Sequence, residues 1–169
     1  MEEEKFQITQ EELDAAWNAS PLNYIEAITD AYLNTLDGQL TEYNMDVLTA
    51  NQHTLLAYRY ILDEVMEGGF IQLIQNGYGP YVLDGPFAMM MKKHWELVDF
   101  GKFMYEVKKE YHLHKAELEA DLNEEQFMAL YEQQEKMNEL GDEFLDKYQE
   151  IVTPSIADYV RKNEEKFVK

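Results

Sequence analysis

The 169-residue sequence predicts an all-α fold, a single compact multi-helix domain of about six to eight helices. Three observations carry this. Apolar residues recur at three- and four-residue steps, helix-start signatures precede most of these runs, and no stretch keeps the period-2 alternation of a half-buried strand.

Thr9-Gln10-Glu11-Glu12 is a capping box that opens a first helix through Trp17. Ser20-Pro21 pairs an N-cap with proline at the first helical position. The second helix then places Leu22, Ile25, Ile28, Tyr32 and Leu36 on one face and ends at Gly38. Thr49 to Gln52 forms another capping box, opening a third helix with Leu55, Leu56, Tyr58, Ile61, Leu62, Val65 and Met66, stopped by Gly68-Gly69. A short helix over Phe70–Gln75 and a loop over Asn76–Pro80 follow. From Gly85-Pro86 a long segment runs to about His114 with Phe87, Met90, Met91, Trp95, Val98, Phe103 and Val107 as core, broken at Gly101. Asn123 to Gln126 caps a helix reaching about Ile151, and Thr153-Pro154 caps the last, through Tyr159 and Val160.

With 46% hydrophobic residues, 13% of the chain aromatic, the sequence has ample material for a packed core. The absence of Cys removes disulfides, thiolate catalysis and Cys-ligated metals. The acidic start Met1–Lys5 lacks the features of a signal peptide, and no apolar run reaches membrane-span length, so a cytoplasmic protein is expected.

Thirty-four acids against 14 Lys and Arg give a net charge of −20. Residues 1–46 hold 11 acids and one base, a net of −10; residues 47–113 hold 8 and 6, a net of −2; residues 114–169 hold 15 and 7, a net of −8. A field of this sign repels nucleic acid and anionic membranes and attracts basic protein surfaces, so no direct nucleic-acid binding and no membrane partner are expected. A chain of this size has a diameter of about 40 Å, along which B-DNA carries roughly 24 charges. The total charge is therefore comparable with DNA, and mimicry requires much of it to be gathered on one side. The candidate contributors are Glu117, Glu119, Asp121, Glu124, Glu125, Glu132, Glu135, Glu139, Asp142, Glu143 and Asp146. The bland alternative is an acidic solvated surface that only maintains solubility.

Signals for chemistry are weak. The residues three before His53, His94, His112 and His114 are Ala50, Met91, Lys109 and Tyr111, so the Glu-x-x-His pattern of helical di-iron sites never occurs. Glu110, His114 and Glu117 share one helix face and offer a mixed oxygen and nitrogen set, although ordinary contacts on a solvated face explain the same spacing. Asp121, Asn123, Glu125 and Glu132 fit part of a Ca²⁺ loop, but Gln126 stands where its sharp turn needs Gly. Ser20 and Ser155, the two serines, each lie beside Pro and read as helix-start residues, and Gly77-Tyr78-Gly79 lacks the Lys-Ser/Thr of a P-loop. Lys92-Lys93 and Lys108-Lys109 read as relief of local acidity. No catalytic residue, metal or cofactor is expected.

The most specific segment runs from Leu48 to Gly79, with Glu67-Gly68-Gly69-Phe70-Ile71-Gln72 followed by Asn76 and Gly77. Together with Leu140-Gly141-Asp142-Glu143-Phe144 and Ala157 to Asn163 followed by Phe167, it resembles a bacterial domain of unknown function related to a DNA-mimic protein. In that family a helix ends in a Gly-Gly-Phe-x-Gln turn and an Asn closes the next. The resemblance implies an all-α, cytoplasmic, self-associating domain, a homodimer, and for the family's named member the binding of a DNA-binding protein through acidic groups. The motif residues themselves, Gly68, Gly69, Phe70, Gln72 and Asn76, read as structural: a positive φ at the helix end, Phe70 packed on the core, and Gln72 or Asn76 capping backbone groups.

The expected organisation is an acidic N-terminal helical appendage over residues 1–45 and a helical domain over 46–169. The expected function is a non-enzymatic protein-binding module, a DNA mimic whose partner is a basic DNA-binding protein. The alternatives are a helical metal-dependent enzyme using His94, His112 or His114 with carboxylates, and a domain that acts chiefly through its own oligomer.

Overall fold

In the computed structural model, which describes residues 5–169, every regular element is helical and no strand occurs among those residues. The acidic leader Glu2–Glu4 lies outside the described residues. The expected starts are in place. Thr9 caps α1 (Gln10–Ala19) in a capping box with Glu12. Ser20 caps α2 (Pro21–Thr35) by accepting from the Asn23 amide. Thr49 and Gln52 exchange both capping bonds, at 3.2 and 3.0 Å, at the head of α3 (Ala50–Gln75). Helices α4 (Gly79–Val82), α5 (Phe87–Met89, continued by a π turn over Met90–His94) and α6 (Val98–Leu113) follow. Then come α7 (Lys115–Leu118), α8 (Glu124–Gln133, with an Asn123–Gln126 capping box) and α9 (Glu135–Glu143). A π turn over Phe144–Tyr148 leads into α10 (Gln149–Lys162), and α11 (Glu164–Val168) ends the chain.

Several expectations are corrected. Gly101 does not break the segment after Pro86; the break falls at Trp95–Leu97, and Gly101 lies inside α6. It is Gly because α6 crosses the preceding turn closely: a Cβ there would lie 2.8 Å from the Lys92 amide nitrogen. Conversely, the helix expected from Asn123 to Ile151 is interrupted at Gln134 (φ −105°, ψ 58°), whose buried side chain donates to Glu117 at 2.8 Å. Pro154 caps nothing. It sits inside α10, exposed, and Glu150, whose carbonyl it leaves without an N–H donor, is exposed four residues earlier on the same face, where water can replace the bond. Finally, Gly79-Pro80 starts α4 rather than ending a loop. Of the expected core residues, Val98 is 43% exposed at the first turn of α6, and Leu22 and Met66 also face outward.

The chain divides into two units, Met1–Arg59 with Thr153–Lys169, and Tyr60–Val152. In the first, buried tyrosines of helical apolar faces direct their hydroxyls at residues of the 153–169 segment. The Tyr32 hydroxyl donates to the Phe167 carbonyl at 2.6 Å, one of the last-turn carbonyls for which α11 has no N–H left. Tyr24 donates to the Glu164 carboxylate, and Tyr58 pairs with Thr153 Oγ1 at 2.7 Å. Arg161 binds Asp14 at 2.7 Å and Glu164 at 3.0 Å while its guanidinium lies 5.3 Å from the Trp17 ring centre. In the second unit the core is aromatic: Phe70 lies 6.2 Å from both Phe103 and Phe144, and Phe103 stacks on Tyr148 at 4.5 Å.

Burying a carbonyl without its donor costs about 1–3 kcal/mol, so Tyr32→Phe is expected to lower unfolding stability by that amount in urea titrations. Burial pushes the hydroxyls of Tyr24, Tyr32 and Tyr58 above their ordinary value of 10.0, and the Glu164 carboxylate raises Tyr24 further. Above about pH 10 the unfolded chain therefore releases protons that the folded chain retains. Stability is fully present below that pH and falls as pH rises through it, which urea midpoints at about pH 8 and about pH 11 will show.

Candidate functional site

Within the second unit the Gly-Gly-Phe segment is a kink rather than a helix end. Gly68 (φ −145°, ψ 18°) and Gly69 (φ 74°, ψ −176°) leave helical geometry, and α3 resumes at once with Phe70 fully buried. The Gly69 conformation belongs to a region that only glycine occupies readily. Gly68 has a different reason. A Cβ there would sit 2.0 Å from Gln72 Oε1, so its missing side chain makes room for the Gln72 amide.

Gln72 and Asn76 do not cap backbone groups as expected. Both amides donate to the same Glu64 oxygen, at 2.7 and 2.8 Å, tying the two halves of α3 together across the kink. Tyr131 of α8 donates to the Gly68 carbonyl at 2.7 Å, and Asn138 of α9 donates to the Tyr131 carbonyl. Gly141 of α9 faces the turn, where a Cβ would stand 3.5 Å from Gly69 Cα. Glu64, Tyr131 and Asn138 were missed from the sequence. Glu64 carried the one available signal, an acid set among Ile61, Leu62 and Val65 on an apolar stretch.

The turn thus fixes α8 and α9, which carry most of the candidate acids. Asp121, Glu124, Glu125, Glu132, Glu135, Glu139, Asp142 and Asp146 are exposed. Glu117 and Glu119 are exposed but engaged, accepting from Gln134 at 2.8 Å and from the Tyr111 hydroxyl at 2.6 Å. Glu143 is half-buried and lies 3.6 Å from Lys147. Glu135, Glu139, Asp142 and Asp146 recur at steps of four, three and four, forming one stripe along α9 and the π turn. Glu150, which the sequence reading left out, is exposed and extends this spacing by one more step of four. Among the described residues no Lys or Arg closes an ion pair with those four carboxylates.

The histidines are arranged otherwise. His114 meets Glu110 through Nε2 at 3.4 Å and Glu117 through Nδ1 at 3.7 Å, so the two carboxylates address opposite ring nitrogens and cannot close on one ion. His112 pairs with Asp84, which Lys115 approaches at 3.6 Å. Among the described residues no three His, Asp or Glu side chains gather as a metal site, and no helix is long and apolar enough to cross a membrane.

The family described as DMP19-like protein matches residues 46–163, and the chain belongs to it. DNA mimic protein DMP19 of Neisseria meningitidis serogroup B is 32% identical over 99 residues, which cover 59% of this chain and 59% of that protein. The match thus spans less than two thirds of the relative's length.

If the kink holds this site, Gly69→Ala is expected to cost about 1–3 kcal/mol for conformation alone, since a Cβ there meets nothing within 4 Å. Gly141→Ala, whose Cβ makes ordinary contact, is expected to cost less than about 1 kcal/mol. Urea unfolding of the two variants measures the difference.

Proposed function

We propose that this chain is a cytoplasmic, non-enzymatic protein-binding module that acts as a DNA mimic, and that its partner is a basic DNA-binding protein. The carboxylate stripe of α9 and the π turn carries this reading, with the family relationship beside it. The stripe from Glu135 to Asp146 covers eleven residues of rise, roughly 16 Å, and holds four carboxylates, with Glu143 lying off it beside Lys147. One strand of B-DNA presents about five phosphates over that length, at one per 3.4 Å. The density is thus close to that of a single strand. A basic groove shaped for a phosphate row would meet carboxylates with comparable repeat, and the charge-assisted contacts would replace those made to DNA.

The alternative of a metal-dependent enzyme draws no support from the histidine geometry, since His114 splits its two carboxylates between opposite nitrogens. The sequence-read boundary, with an acidic appendage over 1–45 preceding the domain, belongs to the same proposal: the matched residues begin at 46.

The test is affinity capture with the whole chain. The bound proteins are expected to be basic DNA-binding proteins that a competing DNA duplex displaces. Raising salt from about 50 to about 300 mM is expected to weaken binding at least roughly tenfold. Neutralising the stripe by E135Q, E139Q, D142N and D146N together is expected to do the same while leaving far-ultraviolet circular dichroism unchanged. Partners that are not basic, or binding indifferent to salt and duplex, would overturn the reading.

A further inference from the structure

Beside the Gly-Gly turn lies a groove of about 470 Å³ that acidic contact alone does not explain. Its walls are mostly apolar, with Val65, Phe127 and Leu145 among them beside the polar Gln72, Tyr131 and Asn138, and it stays open at the Gly69 backbone, where a Cβ would meet nothing within 4 Å. Its rim holds Met66 and Met128, which are 47% and 62% exposed. Two flexible thioethers facing water over an apolar trough make a surface that adapts to an inserted side chain. No Lys, Arg or His lines it; the charged residues there are Glu67 and Asp142. Asp142 also belongs to the carboxylate stripe, so groove and stripe are continuous.

We propose that this groove takes one apolar anchor, Leu or Phe, from a Lys/Arg-rich segment of the partner, whose flanking cations meet Glu67 and Asp142. This rests on the stripe being the partner's contact. Charge complementarity selects this occupant: an apolar segment without cations would leave both carboxylates at the rim without partners, and an acidic one would be repelled. DNA offers no such side chain, so the anchor is a contact by which the partner would recognise this protein beyond the imitation of phosphates.

The probe is a pair of short fluorescein-labelled peptides of equal lysine content, one with a single Leu at its centre and one with Ser in its place, titrated into the full chain. The anchored peptide is expected to bind roughly tenfold tighter or more, the range expected for burying one such side chain. The advantage is expected to vanish in the double variant M66Q M128Q, whose substitutions are exposed. Amide shifts at Gly69 and Tyr131 on peptide addition are expected to mark the groove. Equal binding of the two peptides, or an anchor advantage that survives the double variant, would overturn the proposal. So would a fall in solution mass of the double variant, which would assign the groove to a second copy of this chain. None of these failures alters salt-dependent, duplex-displaced capture of a basic protein, so the groove and the mimic reading fail separately.

Discussion

A single backbone conformation, the extended positive-φ geometry of Gly69, underlies the arrangement of the second unit. It lets α3 stop and restart within two residues instead of ending. That puts Glu64, before the kink, within reach of Gln72 and Asn76 after it. It also leaves the Gly68 carbonyl to be satisfied by the Tyr131 hydroxyl. Replacing Tyr131 would orphan the Gly68 carbonyl, held in part away from water, which costs more than the bond contributes. The motif is therefore architecture. Its bearing on the proposed function is indirect, through the positions of α8 and α9, whose outer faces carry the acids.

The parts of this fold legible in the sequence were those decided locally. Capping boxes at Thr9, Thr49 and Asn123 involve residues three apart, so the pattern contains the whole interaction. The misread positions were decided at a distance. Gly101 looked like a breaker because glycine weakens helices, yet what selects it is Lys92 nine residues earlier. Pro154 looked like a helix start because proline suits one, yet the face it occupies is exposed and tolerates a missing donor. Gln134 gave no signal, since its break depends on Glu117 seventeen residues away. The candidate site divides the same way: the glycines, Gln72 and Asn76 were visible, while Glu64, Tyr131 and Asn138, which make them a junction, were not.

Charge shows the same division between total and geometry. The sequence supplies −20, but the two units use their acids differently. In the first unit, Asp14 and Glu164 share Arg161 and Asp30 pairs with Arg59, so these carboxylates serve packing. Asp14 is held below the ordinary carboxylate value by its hydrogen bonds to Gln10 and Arg161. In the second unit no Lys or Arg among the described residues pairs with the α9 stripe. Only the helical period, applied to a helix whose start at Glu135 the sequence does not reveal, turns a list of acids into a row.

A row of like charges has a limitation as a recognition device. Coulomb attraction between exposed groups is long-ranged and forgiving, so it speeds encounter with any basic surface and discriminates poorly among them. A mimic relying on it alone would be held by every DNA-binding protein that DNA itself can hold, and would lose its grip as salt rose. Selectivity needs a short-range term that a phosphate row lacks. In the proposed complex the apolar groove beside Asp142 supplies it, because removing one well-fitted side chain from water depends on shape and is little affected by salt. The acids would then set how fast a partner arrives, and the groove which partner stays. A kinked helix suits this division, since the same glycine that fixes α9 and its row of carboxylates also leaves the groove beside it open.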